Sequence, residues 1–226
     1  MRLVIFDCDG TLVDSQHMIV KAMDMAFVAE GYPSPKRDAV LSIIGLSLPE
    51  AMQSLRQENS DAANSALCES YRKAFFELRS HSDNEQPLFD GAEETLRKLA
   101  ARDDIVLGIA TGKSQRGVRS FCEMHGFESY FATIQTADDA PSKPHPAMID
   151  QAMRETGIDS ARTLMIGDTI FDMSMARNAN VKGLGVTWGY HPAQDLEKAG
   201  ADWLCSEFSE LLEIISAFST EQELAG

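Results

Sequence analysis

Short, mainly apolar runs punctuate the chain at residues 3–6, 105–110, 163–166 and 181–186. They are continuous rather than alternating, the pattern of strands covered on both faces of a parallel sheet. Helical patterns lie between them. Residues 90–102 place Leu96 and Leu99 on one face, and Asp90 and Glu93 have the spacing of a capping box. Residues 145–157 carry Met148, Ile149, Ala152 and Met153 on one side, with Pro146 near the first turn and Gly157 as a stop. Strands alternating with helices predict an α/β fold, a doubly wound parallel sheet.

The alternation breaks between residues 15 and 86. Helical patterns run over 16–30, 48–58 and 62–79, no strand pattern is found, and residues 80–87 (SHSDNEQP) read as a linker. The expected organisation is a catalytic core from 1–14 and 87–226 with an all-helical cap, 15–86, inserted after the first strand. A plainer reading is an α/β domain with a few extra helices.

The chain has 226 residues, enough for one large domain or a domain plus an insert. Its net charge is −15, from 35 acids against 20 bases. Nucleic-acid binding and docking on an anionic membrane are disfavoured. An anionic substrate is not, since a bound cation reverses the field locally. Cys8, Cys68, Cys122 and Cys205 form no metal or redox motif, and the five histidines show no ligand spacing. No apolar run approaches the ~20 residues that span a bilayer. The expected setting is cytoplasmic, as a monomer or small homo-oligomer.

Ligands of open α/β sheets bind beyond the carboxyl ends of the strands. There the sequence reads Asp7-Cys8-Asp9-Gly10-Thr11, then Thr111-Gly112-Lys113, then Gly167-Asp168-Thr169-Ile170-Phe171-Asp172, with Lys143-Pro144 ahead of a helix. Clustered carboxylates repel one another and stay ionised only beside a cation. Few hard oxygen ligands, with room for water and phosphate, suit Mg²⁺. Asp7 is the candidate nucleophile. Asp9, two residues on, can act as general acid and then general base. The Thr111 hydroxyl and the Gly112 N–H can bind phosphoryl oxygens, and Lys143 adds compact positive charge. Asp168 is the expected metal ligand. Asp172 has two readings, a member of the metal shell or a helix-start acid.

These segments, in this order and separation, resemble the four motifs of the haloacid dehalogenase superfamily over nearly the whole chain. The resemblance implies that Asp7 is the nucleophile, Asp9 the acid/base, and the main-chain carbonyl of Asp9 a partner of Asp7 and Asp168 around Mg²⁺. It also implies a helical cap of the family's first type. Trp188-Gly189-Tyr190 is similar to the phosphoglycolate-phosphatase-like branch. Thr111-Gly112-Lys113 departs from the Thr-Asn often found in the second motif.

The function expected is therefore Mg²⁺-dependent hydrolysis of a small phosphorylated metabolite, phosphoglycolate-like, through a phosphoaspartate. Rivals are a phosphomutase resembling β-phosphoglucomutase and a phosphoaspartate signalling switch. A dehalogenase is disfavoured by Asp9 and Asp168. Gly108 to Ser114 has three residues, not four, between its glycines and is no P-loop. Arg56, Arg72, Lys73 and Arg79 are candidates for a second anionic group of the substrate, or members of a solvated face. Gly45-Leu46-Ser47 is a candidate specificity loop, and Cys8 reads as packing.

Overall fold

The computed structural model describes residues 1–56, 60–79 and 86–223. Six strands form one sheet: β1 (Arg2–Phe6), β2 (Ile105–Thr111), β3 (Phe131–Thr136), β4 (Thr163–Gly167), β5 (Lys182–Val186) and β6 (Trp203–Cys205). Their order is β3-β2-β1-β4-β5-β6, and every neighbouring pair is parallel.

Helices cover both faces, which explains the unbroken apolar runs. Alternate residues of β1 feed opposite cores. Val4 and Phe6 pack with Leu96 and Leu99 of α5 (Ala92–Ala100) and with Leu211 of α10 (Phe208–Glu223). Leu3 and Ile5 pack with Met148 and Ile149 of α7 (Ala147–Thr156) and Met175 of α8 (Ile170–Asn178). Helices α6 (Gln115–His125) and α9 (Ala193–Ala199) complete this part. The doubly wound parallel core is thus as expected.

One local reading is corrected, and two strands lie where the sequence shows no strand pattern. Helix α5 has Gly91, not Asp90, as its N-cap, with no side-chain cap bond. Gly91 takes φ 87°, a turn that an aspartate capping box does not supply. Strand β3 leaves no apolar run because three of its buried residues, Thr133, Gln135 and Thr136, are polar. Thr133 and Gln135 both bond the Glu155 carboxylate, at 2.5 and 2.8 Å, which satisfies groups that would otherwise disfavour a covered edge strand. Strand β6 is three residues long, too short to leave a pattern.

Between β1 and α5 the described residues form α1 (Gln16–Ala29), α2 (Arg37–Leu41), α3 (Leu48–Arg56) and α4 (Asp61–Arg79), and no strand. They share their own apolar cluster, including Met23, Val40, Met52 and Leu67. The end of the expected helix at 57–58 and the linker residues 80–85 lie outside the described residues. The outgoing and returning chain passages run side by side: Asp14 N–H donates to Pro87 O at 2.9 Å and Phe89 N–H to Leu12 O at 3.1 Å.

Candidate active site

Strand register decides what meets at the sheet edge. Phe6 is level with Ile109 of β2 and Ile166 of β4. Asp7 follows Phe6 directly, and Thr111 and Asp168 stand two residues past their level. All three therefore emerge at the carboxyl end of the central strands. The chain turns to opposite sides of β1 there, at the switch point where open α/β sheets form their crevice.

Lys143 Nζ lies 2.9 Å from Asp7 Oδ1 and 2.6 Å from Asp172 Oδ1, all three side chains being buried. Asp7 Oδ1 also accepts the Cys8 N–H at 2.7 Å. Asp7 Oδ2 is buried and has no hydrogen-bond partner. Asp168 is held on both oxygens, by Thr11 Oγ1 at 2.9 Å and the Tyr190 N–H at 2.9 Å. A Cβ on Gly10 would lie 2.2 Å from Asp168 Oδ2, and Gly10 has φ +83°, so only glycine lets the motif pass this close. Asp172 closes a capping box with Thr169 at the start of α8, its Oδ2 accepting from Thr169 Oγ1 at 2.7 Å. Both earlier readings of Asp172 thus have a structural counterpart: it caps the helix and its carboxylate joins the acidic cluster.

Asp9 stands apart from that cluster. Its Oδ1 receives Lys113 Nζ at 2.5 Å and the Ser15 hydroxyl. Lys113, Ser15 and Thr11 are partners for which no role was foreseen. Thr11 and Lys113 lie within the second-residue reach of the motif aspartate and threonine, but only the fold shows which acids they face.

The electrostatics favour a cation. Carboxylate oxygens of Asp7, Asp168 and Asp172 lie within 4.8 Å of one another. The one ammonium among them is Lys143, which leaves two carboxylates in excess. Burial pushes the Asp7 carboxyl up to about 6, with Lys143 opposing and Asp172 adding to the rise. Burial, then the charges of Asp172 and Asp7, hold Asp168 well above the ordinary carboxylate range. Burial alone would lower Lys143, but Asp172 and Asp7 outweigh it and keep the ammonium charged. Three clustered carboxylates offering hard, anionic oxygens, with a single ammonium among them, fit a divalent metal ion.

Residues 4–186 match the haloacid dehalogenase-like hydrolase family. The chain belongs to that family. A Dickeya dadantii protein named "Probable phosphatase IndB" is 36% identical over 93% of this chain and 91% of its own length. "Phosphoglycolate phosphatase" of Vibrio parahaemolyticus is 28% identical, covering 96% of each chain. Among solved structures, a hydrolase from Pseudomonas syringae superposes with a TM-score of 0.85 at 27% identity, covering 96% of this chain and 99% of that one.

In this family member a cavity of about 370 Å³ opens over the acidic floor. Asp7, Asp9, Thr111, Gly112 and Lys113 line its base. Lys143, Asp168 and Asp172 are buried beneath, reached through Asp7. The α2–α3 loop forms part of the roof and touches the core directly: Ser47 N–H donates to Ser142 Oγ at 2.8 Å. Of the four insert cations singled out in the sequence, Arg72 and Arg79 line the cavity. Lys73 pairs with Glu69 at 2.7 Å on the surface, and Arg56 stacks 5.1 Å from the Tyr32 ring. Among the described residues no helix is long and apolar enough to cross a membrane.

Proposed function

We propose that the protein is a Mg²⁺-dependent phosphatase that hydrolyses a small organic phosphate monoester through a phosphoaspartate on Asp7. The observation that carries this reading is the asymmetry of the Asp7 carboxylate: Oδ1 is fixed by Lys143 and Cys8, while Oδ2 is buried with no partner beside the cavity. A nucleophile needs one oxygen held and one left open. The names of the relatives support the phosphatase reading.

In the first half-reaction an Asp7 carboxylate oxygen bonds to phosphorus as the bond to the alcohol oxygen breaks. Asp9 gives its proton to that departing oxygen. In the second, water attacks the phosphorus of the acyl phosphate, Asp9 takes a proton from the water, and the Asp7–phosphorus bond breaks to release inorganic phosphate. Lys143 holds Asp7 in place and offsets charge on the transferring group. The Thr111 hydroxyl and Gly112 N–H bind its oxygens. Asp7 and Asp168, with the Asp9 main-chain carbonyl, would hold the metal, which when bound supplies positive charge against the phosphoryl oxygens, and Asp172 lies beside them, on Lys143. Residues 15–86 act as a cap whose closure excludes bulk water. A reducing, cytoplasmic setting belongs to the same reading, supported by the four free, buried cysteines.

The test is phosphate release from a panel of monoesters with Mg²⁺ and again with EDTA. Turnover that requires metal and disappears in Asp7→Asn is expected. Undiminished turnover in EDTA, or in that variant, would sink the mechanism.

A further inference from the structure

The cavity that starts at Asp7 and Asp9 does not end on a small polar surface. Its roof is hydrocarbon, from Ile19 and Met23 of α1, Ile43, Ile44 and Leu46 of the following loop, and Phe75 of α4. Three exposed arginines, Arg72 and Arg79 of α4 and Arg116 of α6, also line it. We propose that the substrate is a phosphate monoester whose alcohol carries an apolar, ring-sized body and a second anionic group, such as a carboxylate, at its far end. The proposal rests on the phosphatase reading and names the substrate class of that same site.

Size gives the first argument. About 370 Å³ lies within the roughly 300–1,000 Å³ of pockets that enclose drug-sized ligands. A two-carbon acid would leave most of it to water held against hydrocarbon.

The roof gives the second. A sugar phosphate brings several hydroxyls, and each one buried without a partner is penalised. Side chains of isoleucine, methionine, leucine and phenylalanine offer none. An apolar body displaces poorly held water there instead. Within this wall Tyr71 supplies one polar point. Its hydroxyl makes no hydrogen bond among the described residues, and the Asp9 charge reaches it. It is placed to bond a single oxygen near the ester.

The arginines give the third. The chain has 35 acids against 20 bases, so an arginine would ordinarily find a carboxylate. Among the described residues none of these three lies within ion-pair distance of one. Arg79 donates to the Ser120 hydroxyl, and Arg116 lies 5.2 Å from the Phe76 ring centroid. Three guanidinium groups lining one cavity, on two different helices and with no carboxylate at ion-pair distance among the described residues, suit a ligand anion.

The test compares kcat/KM, with Mg²⁺, for benzyl phosphate, 4-carboxybenzyl phosphate, phosphoglycolate and glucose 6-phosphate. All four have alkyl leaving groups, so fit rather than intrinsic reactivity separates them. We expect 4-carboxybenzyl phosphate to exceed benzyl phosphate by about tenfold or more, and to exceed phosphoglycolate and glucose 6-phosphate as well. In an Arg72→Gln/Arg116→Gln variant the ratio between the two benzyl esters should fall toward one. A wild-type ratio of one or below, a ratio unmoved in the variant, or a preference for phosphoglycolate or the sugar ester would overturn the proposal. Phosphate release from none of the esters would instead sink the phosphatase reading, and the proposal with it.

Discussion

Lys113 Nζ lies 2.5 Å from Asp9 Oδ1, a mostly buried ion pair at the base of the cavity. The lysine comes two residues after Thr111, so the residue proposed to bind phosphoryl oxygens and the partner of the proposed acid/base share one strand end. A carboxylate engaged by an ammonium cannot also exchange a proton with a leaving group at that oxygen. A phosphoryl dianion entering the cavity would offer Lys113 a competing partner. Lys113→Gln should then raise the inhibition constant of inorganic phosphate by about tenfold, the loss of one charge-assisted contact. An unchanged constant would mean that Lys113 stays on Asp9 and only positions it.

Asp7 carries a pH signature in the metal-free protein. Burial pushes its carboxyl up to about 6 when folded, against about 3.9 in an unfolded chain. Between those values the folded protein keeps a proton that the unfolded chain has lost. The stability that proton contributes is complete below about pH 4 and is lost as pH rises through about 6. Asp7→Asn has no charge to bury there. It should raise the Tm in EDTA at pH 8 relative to wild type, with the gap closing toward pH 4, while turnover with Mg²⁺ falls by about 10⁴-fold or more. Melting curves across that range decide it. A gap that does not vary with pH would remove the buried charge as its cause.

Sequence pattern made the core legible because both faces of the sheet are covered, so β1, β2 and β4 announce themselves as apolar runs. Asp7 and Asp168 were legible for the same reason: they follow such runs by one and two residues. What the pattern could not carry was set by partners distant in sequence. Strand β3 is tolerated because Glu155 of α7 satisfies Thr133 and Gln135. Lys113 gains its role from Asp9, 104 residues away. The insert arginines could not be sorted from sequence, since only the fold shows that Arg72 and Arg79 line the cavity while Arg56 stacks on Tyr32.

Gly112 is where the helical insert presses on the end of β2, the proposed phosphoryl-binding position. A Cβ there would lie 2.6 Å from the Leu46 carbonyl oxygen and 2.9 Å from that of Gly45. Those atoms are backbone and cannot rotate aside, so Gly112→Ala must displace the loop. The loop adds no side chain to the two apolar clusters that flank the sheet, and Thr111 itself stays in β2. Catalysis should therefore suffer more than folding: kcat/KM falls by about 10²-fold, as a displacement near 1 Å permits, with Tm little changed. Parallel measurement of both would tell. A large loss of Tm with activity preserved per folded molecule would show that the contact serves stability rather than closure.

Asp172 separates from Asp168 by what its oxygens already hold. Its Oδ2 accepts from the Thr169 N–H at 3.1 Å and Oγ1 at 2.7 Å, and its Oδ1 receives Lys143 at 2.6 Å. Its position as the third residue of α8 is thus fixed by the capping box, and its remaining oxygen anchors the lysine that steadies Asp7. Asp168, by contrast, is held by a hydroxyl and a backbone N–H, with no cation on it. If Asp172 works mainly through Lys143, then Asp172→Asn keeps the cap, since the amide oxygen still accepts, but loosens Lys143. Activity should drop by about 10–100-fold, as for residues that orient the groups in contact with a metal. Mg²⁺ affinity measured by calorimetry should fall far less than in Asp168→Asn. Equal loss of Mg²⁺ binding in the two variants would place Asp172 in direct contact with the ion.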